Sequence, residues 1–384
     1  MFKLREINYI LKLALPLMAA FLAQKGMQII DTLMMGWISP VALAAGAIGV
    51  GIFWTLGTFC RGILSSVGVL VTHARGAQHE AESALYLYQG ISIVFILSIP
   101  SILIMWFSPH ILLLIGEDPR IVSNAALLLH SLVWGLPGIL LFYLWREFLS
   151  AFTVTHIIMW VTALSLPLTF IGNYLLVYGK LGLPALGIQG IGYAGSIIMW
   201  LMFLSVLCYS KNNSLLKPHS RFKQFQLDRA KLKKIFRLGL PSGMINILDA
   251  GTFLLATIMI SYFGVDVLAS YQITLQVAST VFNIPLALSM ALALYLSHAV
   301  GAKDVTKIKQ GVRISILLGL IISVAAALLF TFGSDILITP FMEKGNPHVA
   351  QIYELATRFY WIIAAMFFFR HRTNYFSRFT TRFT

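Results

Sequence analysis

Residues 10–35 read ILKLALPLMAAFLAQKGMQIIDTLMM, an apolar run whose only charges are Lys12, Lys25 and Asp31. A helix needs roughly 20 mainly apolar residues, at about 1.5 Å each, to cross a bilayer. The run meets that length, contains Pro16 and Asp31, and has no small-residue cleavage site after it, so it is read as a retained first span. Working outward, nine further runs qualify: 42–70, 84–107, 121–145, 154–178, 187–208, 236–263, 267–297, 311–332 and 350–369. Such long continuous runs exclude a β-barrel, whose segments are about ten residues long and alternate. The composition agrees, because 58% of the 384 residues are hydrophobic and only 11% are charged, against about 25% charged in a soluble domain. The expected fold class is an all-α polytopic membrane protein with about ten spans.

A net charge of +14 would suit nucleic acid, but the placement of the charges points to the lipid bilayer as the partner. With the N-terminus inside, the inner segments hold 18 basic residues, nine of them between Lys211 and Arg237, and Arg146 among the rest. The outer loops hold 3: Arg120, Lys180 and Lys344. That asymmetry sets the N-terminus in the cytoplasm and the chain in the cell inner (plasma) membrane. Residues 211–235 read as a basic cytoplasmic linker that fixes topology; no nucleic-acid partner is expected. Cys60 and Cys208 lie far apart in apolar stretches and give neither a disulfide framework nor metal-ligand spacing. His73 and His79 are placed in the loop after the second span, and no Walker loop offers an ATP-driven reading, so no enzyme is expected.

The chain repeats itself with a shift of 225. Leu13, Leu15 and Pro16 fall on Leu238, Leu240 and Pro241; Thr32 and Met34 fall on Thr257 and Met259. Leu43, Ala44 and Ile48 fall on Leu268, Ala269 and Ile273, and His73-Ala74-x-Gly76-Ala77 falls on His298-Ala299-x-Gly301-Ala302. Six spans separate equivalent points, and an even number returns the chain to the same side. The expected architecture is therefore two six-helix bundles in parallel orientation, related by an axis along the membrane normal, as in many secondary transporters. The amino-terminal lobe takes residues 1–210 and the carboxy-terminal lobe 236–369, leaving 370–384 as a basic tail.

Of 14 acidic residues only Asp31 and Asp249 fall well inside spans. A carboxylate there costs at least about 2.5–3.5 kcal/mol on insertion scales and usually faces a polar pathway. Gln24, Gln28 and Asp31, spaced i, i+4, i+7, form one polar stripe on the first span. Asn246 and Asp249, spaced i, i+3, with Thr252 and Thr257 further on, do the same on the seventh. The two helices are repeat equivalents, so each half is expected to offer one acid. Burial disfavours the charged carboxylate and a bound cation restores it, so such an acid can exchange a proton for Na+ or a cationic drug. Lys25 is read as a structural partner to another helix, Arg61 as snorkelling or functional, and His130 as a hydrogen-bonded core residue. Most of the aromatics, among them Trp37, Trp54, Trp106, Trp134 and Trp160, are read as interfacial or packing residues.

The run Leu13-Ala-Leu-Pro16 … Gln24 … Asp31-Thr-Leu-Met-Met-Gly36 … Leu43-Ala-Ala45 resembles the first span and loop of the multidrug and toxic compound extrusion (MATE) family, NorM-like bacterial branch. So do Asn173-Tyr-x3-Tyr178-Gly179-Lys-x-Gly182-x-Pro184 with its continuation to Ala194, and Arg237-Leu-Gly-Leu-Pro241-x7-Asp249. The resemblance implies a twelve-helix transporter exchanging H+ or Na+ for cationic, amphipathic drugs. Asp31 matches the family's essential acid of the first span, and Asn173 an asparagine of the same site. Asp249 stands for an acid that is usually Glu, and Thr169 stands where Asn is common. The ion-coupling set is thus Asp31, Asp249 and Asn173, with Na+ placed at Asp31 or Asp249. Gln24, Gln28, Asn246 and Thr257 are the substrate-cavity candidates. No cofactor beyond the coupling ion is expected, the drugs are the small-molecule partners, and a monomer is expected. The alternatives are a lipid-linked oligosaccharide flippase of similar architecture, for which only Lys25 and Arg61 offer cavity cations, and a non-functional truncated remnant. The second half has four spans against six, roughly 50 residues short. The stretch RHRTNYFSRFTTRFT at 370–384 has no apolar period. It is expected to be an aberrant tail produced by a single-base shift, leaving the polypeptide incomplete and unstable or inactive.

Overall fold

The computed structural model describes residues 4–116, 118–213, 228–261 and 265–333. The tenth expected span, 350–369, and the tail 370–384 lie outside the described residues. Among those described there is no strand; ten α-helices and one 3-10 turn follow in order. The first half holds α1 (Leu4–Ile38), α2 (Pro40–Gly76), α3 (Glu80–Ile115), α4 (Pro119–Leu132), a 3-10 turn (Val133–Gly135), α5 (Leu136–Ala151), α6 (His156–Tyr178) and α7 (Ile188–Asn212). The second holds α8 (Arg229–Ser261), α9 (Val265–Gly301) and α10 (Val305–Phe332). Among the described residues, eight stretches are long and apolar enough to cross a membrane, α4 and α5 counting as one.

Local chemistry sets the helix ends. The Ser39 hydroxyl accepts from the Ala42 amide at 3.0 Å and Pro40 opens α2, where its missing N–H costs nothing. Pro137 cannot donate back to the preceding turn, and the chain tightens into the 3-10 turn between α4 and α5. Gly179 ends α6 with a φ of +65°, a conformation that strains residues with a Cβ. Asp228 caps α8 by accepting from the Ala230 amide at 2.9 Å and the Lys231 amide at 3.1 Å. The Lys231 ammonium, 2.7 Å away, is the main cause that holds the Asp228 carboxyl below the usual carboxylate range.

Most helices extend beyond the runs read from the sequence, and three of these differences move charged or titratable residues. Residues 229–235, assigned to the linker, are the first two turns of α8. His73 is in α2, which runs to Gly76, and not in the following loop. The fourth span does not stop at residue 145: α5 continues to Ala151 and buries Arg146 and Glu147.

The chain divides into two compact units. One comprises Ala19–Ile247 with Ser297–Lys303, and the other the described parts of Met1–Met18, Leu248–Leu296 and the chain from Asp304 on. In the first, α5 is central: every residue but Pro137 is buried, and it packs against α2, α3 and α7. The first turns of α8 also belong here. Ser66 of α2 donates to the Ile235 carbonyl at 3.1 Å, and a methyl group on Gly62 would lie 2.6 Å from the Gly243 Cα. Small residues let helix backbones approach this closely in a membrane. The second unit is built around Ile10, Leu13 and Ala14 of α1 packed on Leu288, Ala291 and Tyr295 of α9 and Ile314 of α10.

Under the shift of 225 these two interfaces are one. Ile235 and Gly239 against Ser66 and Ile63 correspond to Ile10 and Ala14 against Ala291 and Leu288. Each half therefore begins with a helix that docks on the second helix of the other half. The repeated His-Ala-x-Gly-Ala motifs also meet, within the first unit. A methyl group on Gly76 would collide with the His298 carbonyl oxygen, and one on Gly301 with the His73 carbonyl oxygen. Such reciprocity is what a two-fold axis requires of a contact that crosses it.

Candidate functional site

The stripe predicted on α1 exists and is longer than the sequence reading made it. Phe21, Gln24, Gln28 and Asp31 share one face, and the first and last are separated by about 15 Å along the axis. At the far end the Asn173 amide of α6 donates to Asp31 Oδ1 at 2.7 Å. Asn173 is fully buried, and its Oδ1 has no hydrogen-bond partner among the described residues. An amide that gives its N–H to the carboxylate while its oxygen stays unpartnered leaves an acceptor in place for a proton or a cation. Thr169, one turn earlier on α6, is buried and donates to the Ser165 carbonyl at 2.8 Å.

Asp31 borders a cavity of about 250 Å³ lined by Thr32, Met35, Gly46, Ala47, Val50 and Trp54. The lining comes from the last two turns of α1 and the first half of α2. Apart from Asp31 and Thr32 the walls are apolar. That combination suits a hydrophobic organic cation, with shape from Met35 and Trp54 and charge from one acid. Trp54 is thereby separated from Trp37, Trp106, Trp134 and Trp160, all strongly exposed on helix surfaces. Nothing in the spacing could have singled it out.

At the other end of the stripe lies a cluster that the sequence reading did not assemble. Gln24 Nε2 donates to the Tyr143 hydroxyl of α5 at 3.0 Å. The Arg61 guanidinium lies 4.9 Å from the Phe21 ring and 5.7 Å from the Tyr143 ring. The Arg146 guanidinium flanks the same two rings at 5.3 and 4.9 Å. Arg146 and Glu147 form an ion pair of 3.1 Å, with side chains only 3% and 4% exposed. Arg61 therefore does not snorkel to a surface; it is held among aromatics at a distance suited to cation–π attraction.

The remaining predicted residues separate. Asn246 donates to the Thr58 carbonyl of α2 at 3.1 Å, in the same unit as Asp31. Asp249 belongs to the other unit, with an exposed side chain, and the shift of 225 pairs it with Gln24, not with Asp31. Gln28 is half-buried. Thr257 lies in α8, but its side chain falls outside those described. His130 stacks on Trp106 with ring centroids 4.2 Å apart and lies 3.4 Å from the Trp106 carbonyl oxygen. No group of three or more His, Cys, Asp or Glu among the described residues could hold a metal ion.

Membrane-spanning helices, an internal repeat and a polar site within the apolar layer together define a polytopic membrane protein built as secondary transporters are. The MatE family model matches residues 16–175 and 241–381. A relative from Pseudomonas putida, "Probable multidrug resistance protein NorM", is 32% identical over 367 residues, covering 94% of this chain and 78% of its own length. A second, of the same name, from Pseudomonas aeruginosa, is 32% identical over 352 residues, covering 91% and 72%. Among solved structures, the eukaryotic MATE transporter AtDTX14 superposes with a TM-score of 0.82 at 20% identity over 95% of this chain and 80% of that one. A MATE in complex with MaD5 gives 0.79 at 16%, over 94% and 82%. The chain belongs to the MATE family, in its NorM-like branch.

Proposed function

We propose that this protein is a secondary active antiporter that exports cationic, amphipathic drugs in exchange for H+ or Na+ by alternating access. The observation that carries the reading is the Asp31 carboxylate, held by buried Asn173 at 2.7 Å and bordering an apolar cavity of about 250 Å³. An isolated carboxylate charge is costly in such surroundings, and a proton, Na+ or organic cation relieves the cost. Only one of these occupies the acid at a time, and that competition is what exchange requires. Asn173 orients the carboxylate, Gln24, Gln28 and Asn246 extend the polar surface, and Asp249 with Thr257 supplies the second half's site. The NorM relatives, named for multidrug resistance, support drugs as the substrate class. The chain works as a monomer in the plasma membrane with its N-terminus in the cytoplasm.

The test is efflux of ethidium from energised cells or vesicles carrying the protein. Asp31→Asn keeps the size and the bond to Asn173 but cannot cycle between neutral and charged forms. It should abolish coupled efflux while the protein remains inserted. Efflux at the wild-type rate in that variant would refute the assignment.

A further inference from the structure

The cluster at the inner end of the α1 stripe has no role in the exchange described above, and it consists mostly of charge. Three cations lie at that depth: Lys25 next to Gln24 on α1, Arg61 on α2 and Arg146 on α5. Glu147 opposes them, 3.1 Å from Arg146. Arg146 is withdrawn from water, and Arg61 is half-buried. Arg146 and Glu147 are fully buried, Arg146 Nε has no hydrogen-bond acceptor among the described residues, and both guanidiniums stack on Phe21 and Tyr143. The Asp31 cavity runs between α1 and α2 from Met35 and Gly46 to Trp54, and its lining does not include Phe21, Arg61, Tyr143 or Arg146. With the N-terminus in the cytoplasm, Asp31 and its cavity therefore have the positive charge of this cluster on their inner side.

We infer that Arg61, stacked on Phe21 and Tyr143 about 15 Å inward of Asp31 beside the mutually neutralised Arg146–Glu147 pair, forms a cationic barrier that closes the inner end of the α1 stripe to coupling cations. A guanidinium held against aromatic rings repels hydronium and Na+ alike, as arginines do in pores that exclude cations. The Gln24–Tyr143 bond holds the α1 stripe against the barrier. A proton or Na+ that reaches Asp31 from outside then cannot run on alone through the amino-terminal half; it leaves only when the transporter changes its conformation. The barrier is a determinant of tight coupling, and it rests on the antiport reading.

The experiment measures passive H+ and Na+ flux, without drug, into liposomes containing the full chain, with a trapped pH-sensitive dye and with radioactive Na+. Removing one unit charge at about 15 Å, at an effective dielectric of about 20, changes a cation's occupancy about sixfold. Arg61→Met should raise the flux of the coupling ion by at least that factor, and Arg61→Lys, which keeps the charge, should leave it low. Arg146→Met with Glu147→Gln removes one charge of each sign, so its flux should stay near wild type. Adding Asp31→Asn to Arg61→Met should abolish the leak, because the path passes the carboxylate. Any of four results overturns the barrier: no rise in Arg61→Met, an equal leak in Arg61→Lys, an equal leak in the neutral pair, or a leak that survives loss of Asp31. Absence of ethidium efflux by the wild-type chain would refute the exporter reading alone, because the passive flux is read without drug.

Discussion

Gly76 and Gly301 occupy equivalent places in the repeat and face each other, so substitutions there should interact. A methyl group on either would collide with the carbonyl oxygen of the opposite histidine, His298 or His73, and would lie 3.1 Å from the opposite glycine's Cα. These are backbone atoms that cannot rotate away, and relief needs the two helix ends to separate. Overpacking of this kind typically costs about 1–3 kcal/mol. The separation that accommodates one methyl group also accommodates the other, so the second should cost much less than the first. Gly76→Ala and Gly301→Ala are thus expected to destabilise by similar amounts. The double variant should fall short of their sum by about 1 kcal/mol, within the range of coupling seen for residues in contact. Reversible unfolding of the purified protein in mixed micelles, read by tryptophan fluorescence, completes the cycle. Additivity within about 0.3 kcal/mol would refute the reciprocal contact, and a large effect from only one glycine would refute its symmetry.

Breaking the buried Arg146–Glu147 pair by Arg146→Met should cost about 3–5 kcal/mol, because Glu147 is left charged and unpaired. The apolar double replacement Arg146→Met with Glu147→Leu should recover most of that loss, measured by the same unfolding assay. Asp228→Ala removes the α8 cap, and its effect should depend on pH in a known sense. The Asp228 carboxyl is held below its ordinary range, so its stabilising contribution is complete above the unfolded value of about 3.9. It fades as pH falls through the lower folded value, and wild type and variant should converge in Tm once the pH is below that value. Asn173→Leu keeps the volume but withdraws the 2.7 Å bond to Asp31. It should reduce ethidium efflux at least about tenfold, the effect of losing roughly 1.4 kcal/mol from a charge-assisted bond, with the amount of inserted protein unchanged.

Much of the fold could be read from the sequence, because a bilayer converts hydropathy directly into helix length. The runs 42–70 and 84–107 are the centres of Pro40–Gly76 and Glu80–Ile115, whereas the two equivalent interfaces that the shift of 225 relates came to light only in the structure. Charge at helix ends was read less well. Hydropathy ended the fourth span at residue 145, whereas Arg146 and Glu147 neutralise each other and continue the helix to Ala151. Their aromatic supports, Phe21 and Tyr143, come from separate helices, and no local spacing joins them. Asp31 stood out as a carboxylate in an apolar run. Its partner Asn173 is 142 residues away and was reached through family resemblance, not through spacing. Trp54 was indistinguishable in sequence from the exposed tryptophans, because only tertiary packing decides which aromatic lines a cavity.

The central claim is that Asp31 carries the coupling ion against the drug, and counterflow tests it most directly. Liposomes containing the protein are loaded with H+ or Na+, and ethidium is added on the opposite side while the ion gradient is followed. Wild type should discharge the gradient of the coupling ion only when drug is present, at a rate matched to ethidium movement, and Asp31→Asn should do neither. Drug-dependent discharge by Asp31→Asn at the wild-type rate, or ethidium movement by wild type with no accompanying ion movement, would contradict it.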